Sequence, residues 1–175
     1  MRFDIVSDTH GHLSEELLEA LKGADVILHA GDCCSYGDYQ TLCNIAPMEM
    51  CLGNNDWGMD YGPGVERMTR VFREGLRWQL CHYEDRLDLA TCDVAICGHS
   101  HRPFVHWEPS PGGSQRVLVI NPGSPTFPRT AGGPTIARVM AHAGTVESAE
   151  IVKLKRPAND DDDYGWSIAR LFRRW

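Results

Sequence analysis

One repeated pattern constrains the fold of this chain more than any other feature. Short apolar segments end directly in glycine, acidic, histidine or asparagine residues. The first three such segments, predicted as strands at 3–6, 25–29 and 48–52, are separated by stretches with helical spacing at 13–22 and 38–45. Strands that alternate with helices are typical of βαβ units with parallel pairing. The chain is therefore predicted to begin as α/β structure.

The second half of the sequence is dominated by paired strands. Apolar-alternating segments at 68–73 and 76–81 flank Glu74-Gly75, a two-residue hairpin signal. The remaining predicted elements are a helix at 83–91, a strand at 93–97 and two hairpins over 104–120 and 135–154. Together these patterns predict two mixed sheets that pack face to face, with helices on the outside.

The length of 175 residues fits one domain, which we place at 1–155. The run of four aspartates that follows predicts an acidic linker at 156–163. Apolar residues then recur at helical spacing, which predicts an amphipathic helix at 164–175. This helix is expected to fold back on its own domain or on a second copy in a homo-oligomer, with membrane-surface binding as the alternative.

Charge and cysteine content limit the classes of partner. The formal net charge of −7 disfavours a surface that grips nucleic acid, whereas a small phosphorylated substrate remains compatible because bound metal ions supply positive charge. No apolar run is long enough for stable membrane insertion. Seven cysteines without C-x-x-C pairs, and an N-terminus without a signal sequence, predict reduced thiols and a cytoplasmic location.

Groups able to bind metal ions follow five of the predicted strands. They are Asp8, His10, Asp32, Asn54, His82, His99 and His101. The carboxyl ends of strands form the ligand crevice of open α/β sheets, so these side chains are expected to meet there. Carboxylate and imidazole donors together favour divalent transition ions such as Mn²⁺, Fe²⁺ or Zn²⁺ over Ca²⁺. If the segment 99–101 is extended, its two histidines lie on one face and can serve neighbouring ions.

The order of these motifs resembles a known family. Asp8-x-His10, Gly31-Asp32, Gly53-Asn54-x-Asp56, His82 and Gly98-His99-x-His101 are similar to the motifs of the calcineurin-like metallophosphoesterase superfamily, in its small bacterial and archaeal phosphodiesterase branch. Asn121-Pro122-Gly123-Ser124 matches a further motif of this branch, so the resemblance covers roughly residues 1–130. It implies an α/β fold of the four-layer α/β/β/α sandwich type.

The resemblance also implies a ligand set and a reaction. One ion would be held by Asp8, His10, Asp32 and His101, and the other by Asp32, Asn54, His82 and His99. Asp32 would bridge the ions, and Asp32, Asn54 and His99 are expected to be catalytic. The implied activity is hydrolysis of a phosphodiester or related phosphate ester by a hydroxide between two divalent ions. Mn²⁺ is the expected metal, with Fe²⁺, Zn²⁺, Ni²⁺ or Mg²⁺ as alternatives.

Two positions depart from the family pattern. Asn55 stands where many members carry a histidine thought to protonate the leaving group, and His82-Tyr83-Glu84 replaces the His-Gly-His of the branch. Outside the ligand set, His29 is predicted to be a buried core histidine. His12 is predicted to be an exposed loop residue, with a place facing the site as the alternative.

Three more residues lie near the motifs and are not expected to bind metal. Cys33 and Cys34 are expected to pack beneath the site rather than bind metal, and Trp57 either lines a substrate pocket or is a partly buried loop aromatic.

Two other functions are compatible with the same fold. The family contains a trafficking-complex subunit that serves as a protein-binding scaffold, but its hallmark is loss of the metal ligands that this chain retains. A DNA nuclease is disfavoured by the acidic charge and by the lack of an added DNA-binding region.

Overall fold

The computed structural model describes residues 1–113 and 115–155, and the predicted linker at 156–163 and helix at 164–175 lie outside the described residues. The strands are β1 (Arg2–Val6), β2 (Val26–His29), β3 (Met48–Met50), β4 (Met68–Arg73), β5 (Leu76–Cys81), β6 (Val94–Ile96), β7 (Phe104–Pro109), β8 (Arg116–Asn121), β9 (Thr135–His142) and β10 (Thr145–Lys153). The α-helices are α1 (Glu15–Leu21) and α2 (Tyr36–Ile45).

These strands form two mixed sheets of five strands each. The first has the order β10-β9-β1-β2-β3 and the second the order β4-β5-β6-β8-β7. β1, β2 and β3 are parallel in the first sheet, as are β5, β6 and β8 in the second. The α/β sandwich of two mixed sheets predicted from the sequence is therefore confirmed.

Buried apolar side chains hold the two sheets face to face. Phe3 of β1 and Trp78 of β5 stack with ring centroids 4.3 Å apart, at the middle of a cluster to which strands of both sheets contribute. The predicted hairpin turns at Glu74-Gly75 and Ala143-Gly144 have positive φ at both positions, as two-residue turns of this kind require. The Gly144 N–H donates to the carbonyl of Glu74 over 2.6 Å, so the turns join the sheets at the end opposite the carboxyl ends of β1 and β5.

Both α-helices cover the outer face of the first sheet. Ser14 caps α1, since its Oγ accepts the Leu17 N–H, and Leu17 and Leu21 are then buried against the sheet. Ser35 caps α2 in the same way, and Leu42 is the buried residue of that helix.

The predicted helix at 83–91 is wrong. The described structure has there a single 3-10 turn, Glu84–Arg86, followed by loop residues that cover the outer face of the second sheet. Acidic residues and an arginine occupy the turn, and only Leu87 and Leu89 face the apolar cluster. Two apolar contacts give too little burial to stabilise a longer helix.

Candidate metal centre

The carboxyl ends of parallel strands from both sheets converge on one site. Asp8 and His10 follow β1, Asp32 follows β2, Asn54 follows β3, His82 follows β5, and His99 and His101 follow β6. The sheets meet at this edge, because the His99 N–H donates to Asp8 Oδ2 over 3.0 Å. The structure therefore brings together all seven side chains that the sequence predicted.

The backbone at these positions is unusual. Five predicted ligands have positive φ: Asp8 (57°), His10 (49°), Asp32 (58°), His99 (63°) and His101 (55°). The left-handed region costs an L-residue roughly 1–2 kcal/mol, less for aspartate, and such strain concentrates at functional sites. The expectation of an extended segment at 99–101 is therefore wrong, and a tight turn aims the two imidazoles instead.

Glycines allow the ligand loops to approach one another closely. Gly31 has a φ of +93°, and a Cβ there would lie 2.7 Å from the Gly53 nitrogen. A Cβ on Gly53 would lie 2.1 Å from Asp32 Oδ1, and one on Gly98 would lie 1.9 Å from Ser7 Oγ. Only Gly31 of these three needs glycine for its φ, whereas Gly53 and Gly98 are glycines because a ligand loop occupies the space of a side chain.

Asp8 presents one unpartnered carboxylate oxygen to the histidines. Its Oδ2 accepts hydrogen bonds from Ser7 Oγ at 2.7 Å and from the His99 N–H. Its Oδ1 is buried and has no hydrogen-bond partner among the described residues. That oxygen lies 3.1 Å from His101 Nε2, 3.8 Å from His10 Nε2 and 3.9 Å from His82 Nε2.

Second contacts of the histidines fix which ring nitrogen faces the centre. His82 Nδ1 lies 2.7 Å from the carbonyl of Ala30, and His101 Nδ1 lies 2.6 Å from the carbonyl of Phe127. A carbonyl only accepts, so each Nδ1 carries a proton, and the Nε2 of the neutral ring offers a lone pair. Lone pairs of Asp8 Oδ1 and of these imidazoles thus face one another, an arrangement that a divalent cation fits.

The side chains form two neighbouring groups able to hold ions. Asp8, His10 and His101 make up one group, and Asp8, Asp32 and His82 the other, with the ligand atoms of each group within 4.8 Å of one another. Asp32 Oδ2 lies 3.4 Å from His82 Nε2 and 4.0 Å from His10 Nε2, so it also faces both groups.

Asn54 and His99 lie beside the second group. Asn54 Oδ1 lies 3.1 Å from His82 Nε2 and 3.0 Å from His99 Nδ1. The oxygen of Asn54 is therefore directed at the same space as the imidazoles.

A model of the calcineurin-like phosphoesterase superfamily domain matches residues 1–144. The chain belongs to the calcineurin-like phosphoesterase superfamily. A probable metallophosphoesterase from Methanothermobacter thermautotrophicus is 32% identical over 174 residues, which cover 90% of this chain and 95% of that protein. Divalent metal ions are implied by the family, and the two ligand groups described above are suited to them.

Two solved structures have the same fold as this chain. YfcE, a phosphoesterase from E. coli, has a TM-score of 0.62 and 20% identity, with 89% of this chain and 100% of that chain covered. Vps29 from Chaetomium thermophilum has a TM-score of 0.64 and 17% identity, with 90% and 98% covered. At these identities the likeness shows the fold alone.

Burial and neighbouring charges shift the pKa values of the residues at the metal centre. Burial acts to raise the pKa of Asp32, but donation and charge from His82, together with hydrogen bonds from Asn55, hold that pKa well below its usual range. Burial lowers the pKa of His10 and of His99. Burial also acts to lower the pKa of His82, but its hydrogen bond to Asp32 and the charges of Asp8 and Asp32 outweigh this and raise it. The Asp32 carboxylate thus stays ionised and attracts cations.

Asp56 has a positioning role that the motif alone did not show. Its Oδ2 accepts the N–H groups of Asp32 and Gly53, each over 2.8 Å. Its Oδ1 accepts the Cys34 N–H over 2.8 Å and the Tyr61 hydroxyl over 3.0 Å. One buried carboxylate therefore joins the loops after β2 and β3. An acidic residue two positions after a predicted ligand was the available signal.

Two residues of the predicted 121–124 motif support the other ligand loops. Asn121 Nδ2 donates to the carbonyl of Gly98 over 2.8 Å, and Ser124 Oγ donates to the carbonyl of Asp8 over 2.8 Å. These hydrogen bonds hold the backbones that carry Asp8 and His99. The motif thus stabilises the ligand loops, a role that the sequence alone did not indicate.

Asn55 contacts Asp32 directly. Its N–H donates to Asp32 Oδ1 over 2.7 Å and its Nδ2 to Asp32 Oδ2 over 2.6 Å. The side chain that replaces the family histidine therefore holds the carboxylate that faces both ligand groups. Sequence reasoning identified the substitution but missed this contact, because it depends on how the two loops pack.

The structure places the other singled-out residues as follows. His29 is fully buried, as predicted, with its Nε2 3.1 Å from Thr9 Oγ1. His12 is exposed, also as predicted. Burial raises the pKa of Cys33 to about 11 and that of Cys34 to about 12, so both thiols are neutral without a metal ion.

Trp57 is 87% exposed, so it is not the partly buried residue that one of its two predicted roles required. Among the described residues, no helix is both long and apolar enough to cross a bilayer.

Proposed function

We propose that this superfamily member hydrolyses a phosphodiester, or a related phosphate ester, with two divalent ions. The observation that carries the proposal is Asp8 Oδ1, a buried oxygen without a hydrogen-bond partner among the described residues that faces three imidazole Nε2 atoms. A buried anion in such surroundings is costly unless a cation compensates for it. The proposed ligands are Asp8, His10, Asp32 and His101 for one ion, and Asp32, Asn54, His82 and His99 for the other.

Divalent ions bound here would supply Lewis acidity, neutralising the phosphoryl oxygens and lowering the pKa of a coordinated water. The residues of the chain position the components. His82 and His101 are fixed by their Nδ1 hydrogen bonds, and Asn55 holds the Asp32 carboxylate. Rigid ligands of this kind lower the reorganisation that accompanies the reaction.

Leaving-group protonation is not assigned to position 55. The amide of Asn55 does not ionise in the useful pH range, and its N–H group already donates to Asp32. We therefore expect a preference for esters whose leaving group departs as a stable anion, such as nitrophenolate, over alkyl esters.

Several finer properties belong to the proposal. We take Mn²⁺ as the metal because mixed carboxylate, amide and imidazole donors suit it, with Fe²⁺, Zn²⁺, Ni²⁺ and Mg²⁺ as alternatives. All seven cysteines are free thiols, which supports a reducing, cytoplasmic location. The substrate is a small phosphorylated molecule, and a homo-oligomer remains a prediction.

The direct test is hydrolysis of bis-p-nitrophenyl phosphate by metal-defined protein. Turnover is expected with Mn²⁺ and not with EDTA, with about two ions bound per chain. Asp8→Asn should lose bound metal and turnover together, since it neutralises the unpartnered oxygen. Asp93→Asn is the matched control, because Asp93 pairs with Arg77 at the amino end of β6, away from the centre.

The scaffold alternative has the opposite expectation. A chain that uses this fold only to bind proteins would have the same fold but show no turnover with any of the five metals. Metal binding without hydrolysis of diesters or monoesters would refute the enzymatic proposal.

A further inference from the structure

A small cavity opens beside the metal centre. Its volume is about 120 Å³, and His82, Tyr83, Arg67 and Arg86 contribute to its lining together with apolar side chains. Pockets that enclose a whole drug-sized ligand measure roughly 300–1,000 Å³. This cavity therefore has room for one substituent of a substrate rather than for a complete ligand.

The cavity is next to the proposed reaction site. His82 lines it and also directs Nε2 at Asp32 Oδ2, 3.4 Å away. The Tyr83 ring lies 5.5 Å from the His82 ring and 4.6 Å from the His99 ring, measured between centroids. A substituent in the cavity would thus belong to the same molecule as an ester held at the centre.

The 3-10 turn separates positive from negative side chains. Arg86 lines this cavity, and its guanidinium carbon lies 4.8 Å from the Tyr83 ring centroid. Glu84 and Asp85, on the same turn, line a different cavity together with Glu108. The turn therefore contributes Arg86 to the cavity beside His82, and Glu84 and Asp85 to a different one.

Arg67 lines the same cavity and lies in the segment between β3 and β4. The Leu52 N–H donates to the carbonyl of Glu66 over 2.7 Å, and Cys51 forms a bridge with Glu66, so the backbone beside Arg67 is fixed to the end of β3. Within the described residues, neither Arg67 nor Arg86 makes an ion pair or a side-chain hydrogen bond. Two arginines without anionic partners among the described residues thus line one small cavity in a chain of net charge −7.

We propose that Arg67 and Arg86 bind a second phosphate group on the substrate, so that the physiological ester carries a phosphate besides the one that is cleaved. Guanidinium groups bind phosphate oxygens through paired, charge-assisted hydrogen bonds. Tyr83 holds Arg86 in place by the cation–π contact. The inference rests on the proposed function, since it assigns the substrate class of that same centre.

The test compares two substrates that differ by one phosphate. They are thymidine 5′-(p-nitrophenyl phosphate) and the same ester with a 3′-phosphate, each assayed with Mn²⁺ for nitrophenolate release. We expect the 3′-phosphorylated ester to have a kcat/KM higher by about tenfold, the low end for charge-assisted hydrogen bonds. Salt should weaken this preference, because both arginines are exposed.

Matched variants test whether the two arginines cause the preference for the 3′-phosphorylated ester. Arg67→Gln and Arg86→Gln should each bring the ratio of the two kcat/KM values close to one. Arg70→Gln removes the same charge from an exposed position of β4 that does not line the cavity, so its ratio should equal that of the native protein. A native ratio near one, or a ratio that survives both cavity variants, would overturn the inference even if bis-p-nitrophenyl phosphate is hydrolysed.

A binding measurement separates this inference from the proposed function. If no ester is turned over, calorimetry on EDTA-treated protein compares thymidine 3′,5′-bisphosphate with thymidine 5′-phosphate. Tighter binding of the bisphosphate that is lost in Arg67→Gln and Arg86→Gln supports the second phosphate site without catalysis. Equal binding of the two nucleotides refutes it.

Discussion

The Asp56 carboxylate offers a sharp test of how the ligand loops are held. It is buried and accepts four hydrogen bonds, from the N–H groups of Asp32, Gly53 and Cys34 and from the Tyr61 hydroxyl. Asp56→Asn keeps the shape but replaces one acceptor oxygen by an amide donor. Within the described residues, Asp56 makes its hydrogen bonds to backbone N–H groups and to Tyr61 and none to a proposed ligand side chain, so the variant tests support of the centre and not ligation.

The loss of stability expected for Asp56→Asn follows from which of its hydrogen bonds are broken. If the amide replaces Oδ2, two backbone N–H groups, those of Asp32 and Gly53, lose their acceptor. If it replaces Oδ1, the Tyr61 hydroxyl can rotate to accept from the amide, and only the Cys34 N–H is left without a partner. One unsatisfied buried donor costs about 1–3 kcal/mol, and the remaining bonds lose their charge assistance, so we expect a total of about 2–4 kcal/mol.

Two measurements check this expectation. Urea unfolding of the metal-free protein should show the loss of stability, and metal titration should show an affinity lower by about 10–100-fold, as for other supporting contacts of metal sites. Tyr61→Phe, which removes one donor only, should cost about 1–2 kcal/mol. Asp60→Asn is the control, because Asp60 is exposed in the same loop. An Asp56→Asn protein with the stability and metal affinity of the Asp60 control would refute the reasoning.

Three further variants probe the centre. Asp32→Ala should abolish turnover with loss of both ions, and two ions bound per chain with near-normal activity would contradict its role as a bridge. His99→Ala and His101→Ala should each weaken a different metal site, as titration with metal analysis would show, and equal loss from both sites in both variants would contradict the split. Burial lowers the pKa of His29 to about 4. The neutral ring therefore contributes fully to the free energy of unfolding above pH 6.5, and this contribution of up to about 3 kcal/mol is lost as pH falls toward 4. Thermal unfolding in EDTA between pH 7 and 4 measures it, and an identical pH profile for His29→Gln would exclude it.

The sequence by itself determined the elements whose signals are local. The hairpin at 68–81 has the predicted strand bounds, because alternation of apolar residues and a two-residue Glu-Gly turn act between near neighbours. The strand ends also predicted which polar side chains meet, since parallel strands place their carboxyl ends at one edge. The prediction of a helix at 83–91 was wrong because a helix there would depend on packing against the second sheet, which local signals do not report.

Only the tertiary structure decided how the centre is held. The positive φ values of Asp8 and Asp32, and the contact of Asn55 with the Asp32 carboxylate, arise where loops from different strands pack within hydrogen-bonding distance. The same is true of Arg67 and Arg86, which lie well apart from each other in the sequence but line one cavity beside His82. A pattern along the chain predicts which polar side chains follow the end of a strand. Which atoms then face one another depends on contacts between segments far apart in sequence, and these exist only once both sheets have formed.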